Sequence, residues 1–197
     1  MFWPFNHFRK PHAPPRGTIE AIYGMIVTQA REPLFYRDFG VPDTVNGRFD
    51  LLVLHLWMIL RRLKSMESAS GLSQALFDRF CDDMDANLRE MGVGDLTVPK
   101  RMQAFGEAFY GRSAAYDQAL IAGQEPLAQA LCKNILNGQG IEHARGLARY
   151  VTVAIETLAA QEEAALQNVS FGLSGTSASP KFKSWKFPSP AGLDAQP

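Results

Sequence analysis

An excess of charge of either sign is the first thing this sequence lacks. Its 20 Lys and Arg stand against 20 Asp and Glu, for a formal net charge of zero over 197 residues. That balance excludes a strongly basic nucleic-acid-coating protein and an acidic solvating chain as descriptions of the whole, and DNA is not an expected partner. Cysteine is nearly absent, with only Cys81 and Cys132 far apart in the chain and no CxxC pair. A zinc ribbon and a disulfide scaffold are thereby excluded, and two reduced thiols inside helical patterns suit a reducing compartment. Long apolar runs are missing too. The longest, Leu51–Leu60, has ten residues, contains His55, and is flanked by Asp50 and Arg61-Arg62. A membrane span needs about 20 apolar residues, so the run reads as a core helix.

Chemical signatures are equally scarce. GxxxxGK, GxGxxG and GxSxG do not occur, so no phosphate loop, dinucleotide fingerprint or nucleophile elbow is written in the chain. The N-terminus MFWPFNHFRK lacks the order of a secretory signal, because its cations follow its apolar residues and no small-residue cleavage site appears. Sustained period-two alternation is absent, which removes half-buried strands from the expected fold.

What is present is helical periodicity. The spacing predicts six or so helices, over about 18–32, 46–66, 72–91, 99–122, 126–136 and 141–167. Thr18 and Thr97 are candidate N-caps, and Gly92 a candidate C′ residue. The helix at 46–66 is apolar on more than one face and is expected at the centre. In the next helix Leu72, Leu76, Phe80, Met84 and Leu88 form the inward stripe. Gly106 and Gly111 would allow a kink or close packing. Residues 34–45 read as irregular. The expected organisation is all-α: a flexible tail over 1–17, one helical domain over 18–168, and a disordered tail over 169–197.

Both tails carry cations among aromatics. Phe2, Trp3, Phe5 and Phe8 precede Arg9-Lys10, and Phe182, Trp185 and Phe187 interleave with Lys181, Lys183 and Lys186. Such mixtures suit weak, salt-sensitive contact with an anionic membrane surface, with Phe2, Trp3, Phe5, Phe8 and Trp185 as contact residues.

Asp82-Asp83-Met84-Asp85 is the one cluster that invites chemistry. Carboxylates at i and i+4 can bridge magnesium to a diphosphate in all-α isoprenoid synthases, but the fifth position here is Ala86 and no second acidic box exists. A solvated acidic face is the plainer reading; an α-helical isoprenoid- or lipid-acting enzyme using Asp82, Asp83 and Asp85 is the alternative. His55 reads as a satisfied core histidine. His143 has no partners spaced to complete a zinc site. No cofactor or metal is expected.

Three stretches are more specific. They are Phe39-Gly40-Val41-Pro42-Asp43-Thr44-Val45-Asn46-Gly47-Arg48-Phe49-Asp50, the segment Phe80–Lys100 with its Val93-Gly94-Asp95-Leu96-Thr97-Val98-Pro99 connection, and FYGRSAAYDQAL at 109–120. Together they resemble the ubiquinol–cytochrome c chaperone family of mitochondria and α-proteobacteria, over about 20–160. The short length and the missing transit peptide point to a bacterial member. The resemblance implies a non-enzymatic assembly factor for the cytochrome bc1 complex. It would bind newly made cytochrome b at the cytoplasmic face of the inner membrane. A ribosome and a small partner protein, used by mitochondrial members, are further candidate partners. No catalytic residues carry over. Gly40, Gly47, Gly92 and Gly94 are expected to fix turns. Asp43, Arg48, Asp82, Asp85, Arg89, Asp95, Lys100 and Arg112 are candidate partner-binding residues around those turns. Each is alternatively an internal cap or salt bridge, and Asp43, Arg48, Arg89 and Asp95 would form one patch.

Overall fold

The computed structural model describes residues 16–66, 69–170 and 185–193, with side chains of the last helix described through Gln161. The aromatics at 2–8 and the lysines at 181 and 183 lie outside the described residues. Helices are α1 (Arg16–Ala30), α2 (Pro33–Arg37), α3 (Val45–Lys64), α4 (Ser70–Glu90), α5 (Val98–Ala122), α6 (Gln124–Ile135) and α7 (Ile141–Ser170). No strand occurs among the described residues. The all-α expectation holds, and its six helices correspond to the six long ones.

The seventh, α2, falls where an irregular stretch was expected. Pro33 does end α1, but it also sits in the first turn of α2, where a missing N–H costs nothing. Two caps also differ from expectation. Helix α1 already runs at Arg16, so Thr18 is interior and buried, and Thr97 makes no side-chain cap bond. Thr44 does cap α3, its Oγ1 accepting from Gly47 N–H at 3.2 Å. Helix α4 closes as its sequence predicts: Gly92 has φ +78°, Gly92 N–H donates to Arg89 O, and Val93 N–H donates to Leu88 O. This paired arrangement satisfies carbonyls that the helix end leaves open.

Helix α3 is the hub, packing on α1, α4, α5, α6 and α7. Every residue from Asp50 to Ile59 is buried, which is why its sequence is apolar all round. The predicted stripe of α4, from Leu72 to Leu88, is buried against it. Fully burying a side chain such as Leu76 or Phe80 contributes about 1.5–3 kcal/mol. Gly106 and Gly111 support no close packing, since an added Cβ at either would meet nothing within 4 Å. His55 is satisfied, as expected. Its Nδ1–H donates to Leu51 O at 2.7 Å, which fixes the tautomer, and its Nε2 accepts from Tyr150 Oη at 2.8 Å. Total burial holds the imidazole down to a pKa of about 4.

Residues 185–193 correct the expected tail over 169–197. They lie on the bundle, with Trp185 4% exposed and Phe187 also buried. Trp185 is therefore a packed side chain and not available for membrane contact in this arrangement.

Candidate functional site: an apolar groove between four helices

The first two turns of α3 carry Val45, Asn46, Arg48, Phe49 and Leu52, and they face the last turns of α4 with Met84, Asn87, Leu88 and Met91. Val27 and Ala30 of α1, Arg31 just beyond it, Asp83 of α4 and Phe105 of α5 complete a groove of about 310 Å³. Its floor is rigid. Phe49 stacks on Phe105 with centroids 4.8 Å apart and lies 6.4 Å from Phe80. Its lip is apolar and wet: Val45 is 69% exposed and Met91 58%. Large apolar side chains held in water beside an apolar groove mark an interaction surface more often than a fold requirement. Arg31 and Arg48 stand at one end and also line the adjoining depression formed with Pro33, Tyr36, Arg37 and Asp43.

The eight candidate residues divide into four groups. Arg48 and Asp43 pair at 2.8 Å, both exposed, at the basic end of the groove. Arg89 bonds Asp85 at 2.6 Å and also Asp95, tying the end of α4 to the following loop. Among the described residues Arg48 pairs with Asp43, and Arg89 with Asp85 and Asp95, so the ion pairs of the expected single patch form two clusters. Exposed pairs of this sort add little stability. Asp82 and Lys100 are exposed. Arg112 is different: its Nη2 meets Asp50 at 2.8 Å, with Asp50 only 7% exposed and the guanidinium 5.6 Å above the Phe49 ring. Burial pushes the Asp50 carboxyl up to about 6, against the pull of Arg112. Arg112 belongs to the architecture beneath the groove.

Asp50 was not singled out in the sequence, although an acid opening the most apolar run signals a buried partner. The acidic cluster does not converge. Asp83 accepts from Tyr23 Oη at 2.8 Å and pairs with Arg79, while Asp85 turns to Arg89. Among the described residues no group of three His, Cys, Asp or Glu is placed to hold a metal. The geometry lends nothing to a magnesium–diphosphate reading. Cys81 is half-buried and Cys132 buried, both unpaired. His143 serves the fold, its ring packed where a Cβ at Gly40 would lie 3.1 Å away and its Nδ1 3.2 Å from Asp38 O. Among the described residues no helix is long and apolar enough to cross a membrane.

Comparison with known proteins places this arrangement. "Ubiquinol-cytochrome c reductase complex assembly factor 1" of Xenopus laevis is 32% identical over 107 residues, covering 53% of this chain and 53% of its own. The human protein of that name is 30% identical over 128 residues, covering 63% and 42%. "Protein CBP3, mitochondrial" of Saccharomyces cerevisiae is 28% identical over 124 residues, covering 59% and 37%. The matches thus span from about a third to about half the length of these curated relatives. The crystal structure of the Cbp3 homolog from Brucella abortus superposes with a TM-score of 0.75 at 34% identity, covering 90% of this chain and 92% of that one. The family model described as "Ubiquinol-cytochrome C chaperone" matches residues 37–173, which take in the α3, α4 and α5 walls of the groove, and the chain belongs to that family.

Proposed function

We propose that this protein is an assembly chaperone for the ubiquinol–cytochrome c reductase complex, and that its α1/α3/α4/α5 groove holds an apolar segment of newly made cytochrome b. The family match over the groove-building helices carries this reading. The groove supplies its chemistry: an aromatic and aliphatic floor, an exposed apolar lip, and cations at one end. An amphipathic or membrane-destined helix fits such a surface through apolar residues on one face. Arg31 and Arg48 would meet the carbonyl end of that helix, where the macrodipole is negative. No bond is made or broken in this role, and no cofactor is required. The cytoplasmic face of the membrane is the place of action, with Phe2, Trp3, Phe5 and Phe8 as weak surface contacts. A ribosome and a small partner protein remain candidates for the exposed Arg89–Asp95 and Asp82–Lys100 regions.

Two exposed positions test it. Val45→Glu and Met91→Glu should change stability by about 0.5 kcal/mol or less. Each should nevertheless strip cytochrome b from the tagged protein on co-purification and lower the assembled bc1 complex. A gene deletion that leaves bc1 levels normal would refute the chaperone role. Retained client with both variants would refute the groove alone.

A further inference from the structure

Residues 185–193 cross α1, α3 and α7 in a way unlike the rest of the packing. The strap is gripped by its backbone. Gln161 binds both sides of one residue, accepting from Lys186 N–H at 2.8 Å and donating to Lys186 O at 2.8 Å. Gln29 donates to Pro188 O at 3.2 Å, and Arg149 donates to Leu193 O at 3.4 Å. Four bonds from side chains of the bundle to main-chain atoms read an extended conformation and not a sequence.

Sequence enters through alternation. Trp185 and Phe187 are buried while Lys186 between them is exposed, the pattern of an extended chain with one face inward. Phe187 meets the His55 ring edge-on, centroids 4.9 Å apart. Pro188 and Pro190 favour the extended form and carry no N–H needing a partner. The direction is fixed as well. Lys186 lies beside Gln161 and Leu193 beside Arg149, so the strap runs antiparallel to α7. The alternating stretch over 185–190 is extended, and it ends in a turn where Leu193 N–H donates to Pro190 O at 3.2 Å and Gly192 has φ +81°.

We propose that the surface beneath the strap is a peptide-binding groove for extended aromatic-x-aromatic-Pro segments, filled here by the chain's own residues 185–193. Fourteen residues, 171–184, join the strap to α7. A tether of that length gives an effective concentration in the millimolar range. A groove of only micromolar intrinsic affinity then stays filled by its own segment, yet exchanges with a competing segment of the same pattern. The site shares no lining residue with the α1/α3/α4/α5 groove, and the inference stands apart from the client reading.

The test keeps the full chain. A specific protease site placed within 171–184 is cut after folding, and the folded body is challenged with a synthetic peptide of residues 183–193. The expected result is that the cleaved strap dissociates on dilution while the body keeps its cooperative melting. The peptide then rebinds, and its Trp185→Ala/Phe187→Ala version binds at least about tenfold more weakly. A strap that stays bound through dilution and excess peptide would overturn the proposal, making it an integral part of the core. So would loss of cooperative melting on cleavage, or equal binding of the two peptides.

Discussion

Replacing Arg112 with leucine is expected to lower stability by about 3–5 kcal/mol at pH 7, because it strands a buried carboxylate. Asp50 is 7% exposed and pairs with Arg112 at 2.8 Å. The pair is already imperfectly compensated: Arg112 Nη1 and the neighbouring Tyr116 Oη are buried without hydrogen-bond partners. Asp50 titrates near 6 in the fold against 3.8 as its ordinary value. A raised carboxyl pKa contributes stability that is fully present below 3.8 and lost as pH rises through about 6. In Arg112→Leu nothing pulls the carboxyl down, so it either buries a charge at pH 7 or takes a proton at a cost. At pH 5 the carboxyl is mostly protonated in both proteins. A group titrating near 6 can change the difference by at most about 1.4 kcal/mol between pH 5 and 7, so the loss should be smaller at pH 5 by about 1 kcal/mol. His55 runs the other way: its contribution is full above 6.5 and lost as pH falls through about 4. The wild-type curve therefore mixes two opposed slopes between pH 4 and 6, and only the variant-minus-wild-type difference isolates Asp50. Urea titrations at pH 5 and 7 read it. A loss independent of pH would show that Arg112 acts through packing on Phe49 and not through charge. Asp50→Leu combined with Arg112→Leu should recover most of the stability, since an apolar pair leaves no group unpaired.

The six long helices, their order and the central place of α3 were legible because burial imposes period 3.6 on Leu, Phe and Met, and periodicity survives in any single sequence; the five-residue α2 is too short to show a period. The stripe from Leu72 to Leu88 is the clearest case. Gly92 was legible for a local reason, since a left-handed residue after a helix is nearly always glycine. Positions that depend on long-range partners were not. Asp50 and Arg112 are 62 residues apart in the chain, and only the packing of α5 on α3 joins them. Arg112 therefore looked like one more polar residue near a turn. Phe187 and Trp185 looked like tail aromatics, because the groups that hold this segment, His55 against Phe187 and Gln161 on the Lys186 backbone, lie elsewhere in the sequence. The groove itself was invisible. Val45 and Met91 are ordinary apolar residues until the fold leaves them in water. Gly94, expected to fix a turn, meets nothing within 4 Å and has no left-handed φ, so a turn-rich motif exaggerated its role.

Gly47 is the position where a single added methyl should do most damage to the groove. It lies inside the first turn of α3, and a Cβ there would fall 2.0 Å from Pro42 O and 3.1 Å from Pro42 C. That carbonyl is not free to turn away. It accepts from Thr44 N–H at 2.8 Å, while Val41, one residue earlier, is buried and bonded to Phe35 O through its N–H. The first turn of α3 is pinned in return, with Gly47 N–H donating to Thr44 Oγ1 and Arg48 N–H to Thr44 O. Gly47→Ala must therefore shift the 41–44 loop or unwind the turn. Helix propensity alone would favour alanine by about 1 kcal/mol. Overpacking against fixed backbone exceeds that, and a net loss of at least about 2 kcal/mol is expected. Gly106→Ala on α5 is the matched control. Its Cβ meets nothing within 4 Å, so propensity should act unopposed and stabilise by up to about 1 kcal/mol. Opposite signs for the two substitutions in urea melts would establish the close approach; equal signs would refute it. The damage should also reach the proposed client groove, because Val45, Asn46, Arg48 and Phe49 on that turn build one of its walls. Gly47→Ala should lose cytochrome b at temperatures where the protein is still folded, whereas Gly106→Ala should keep it.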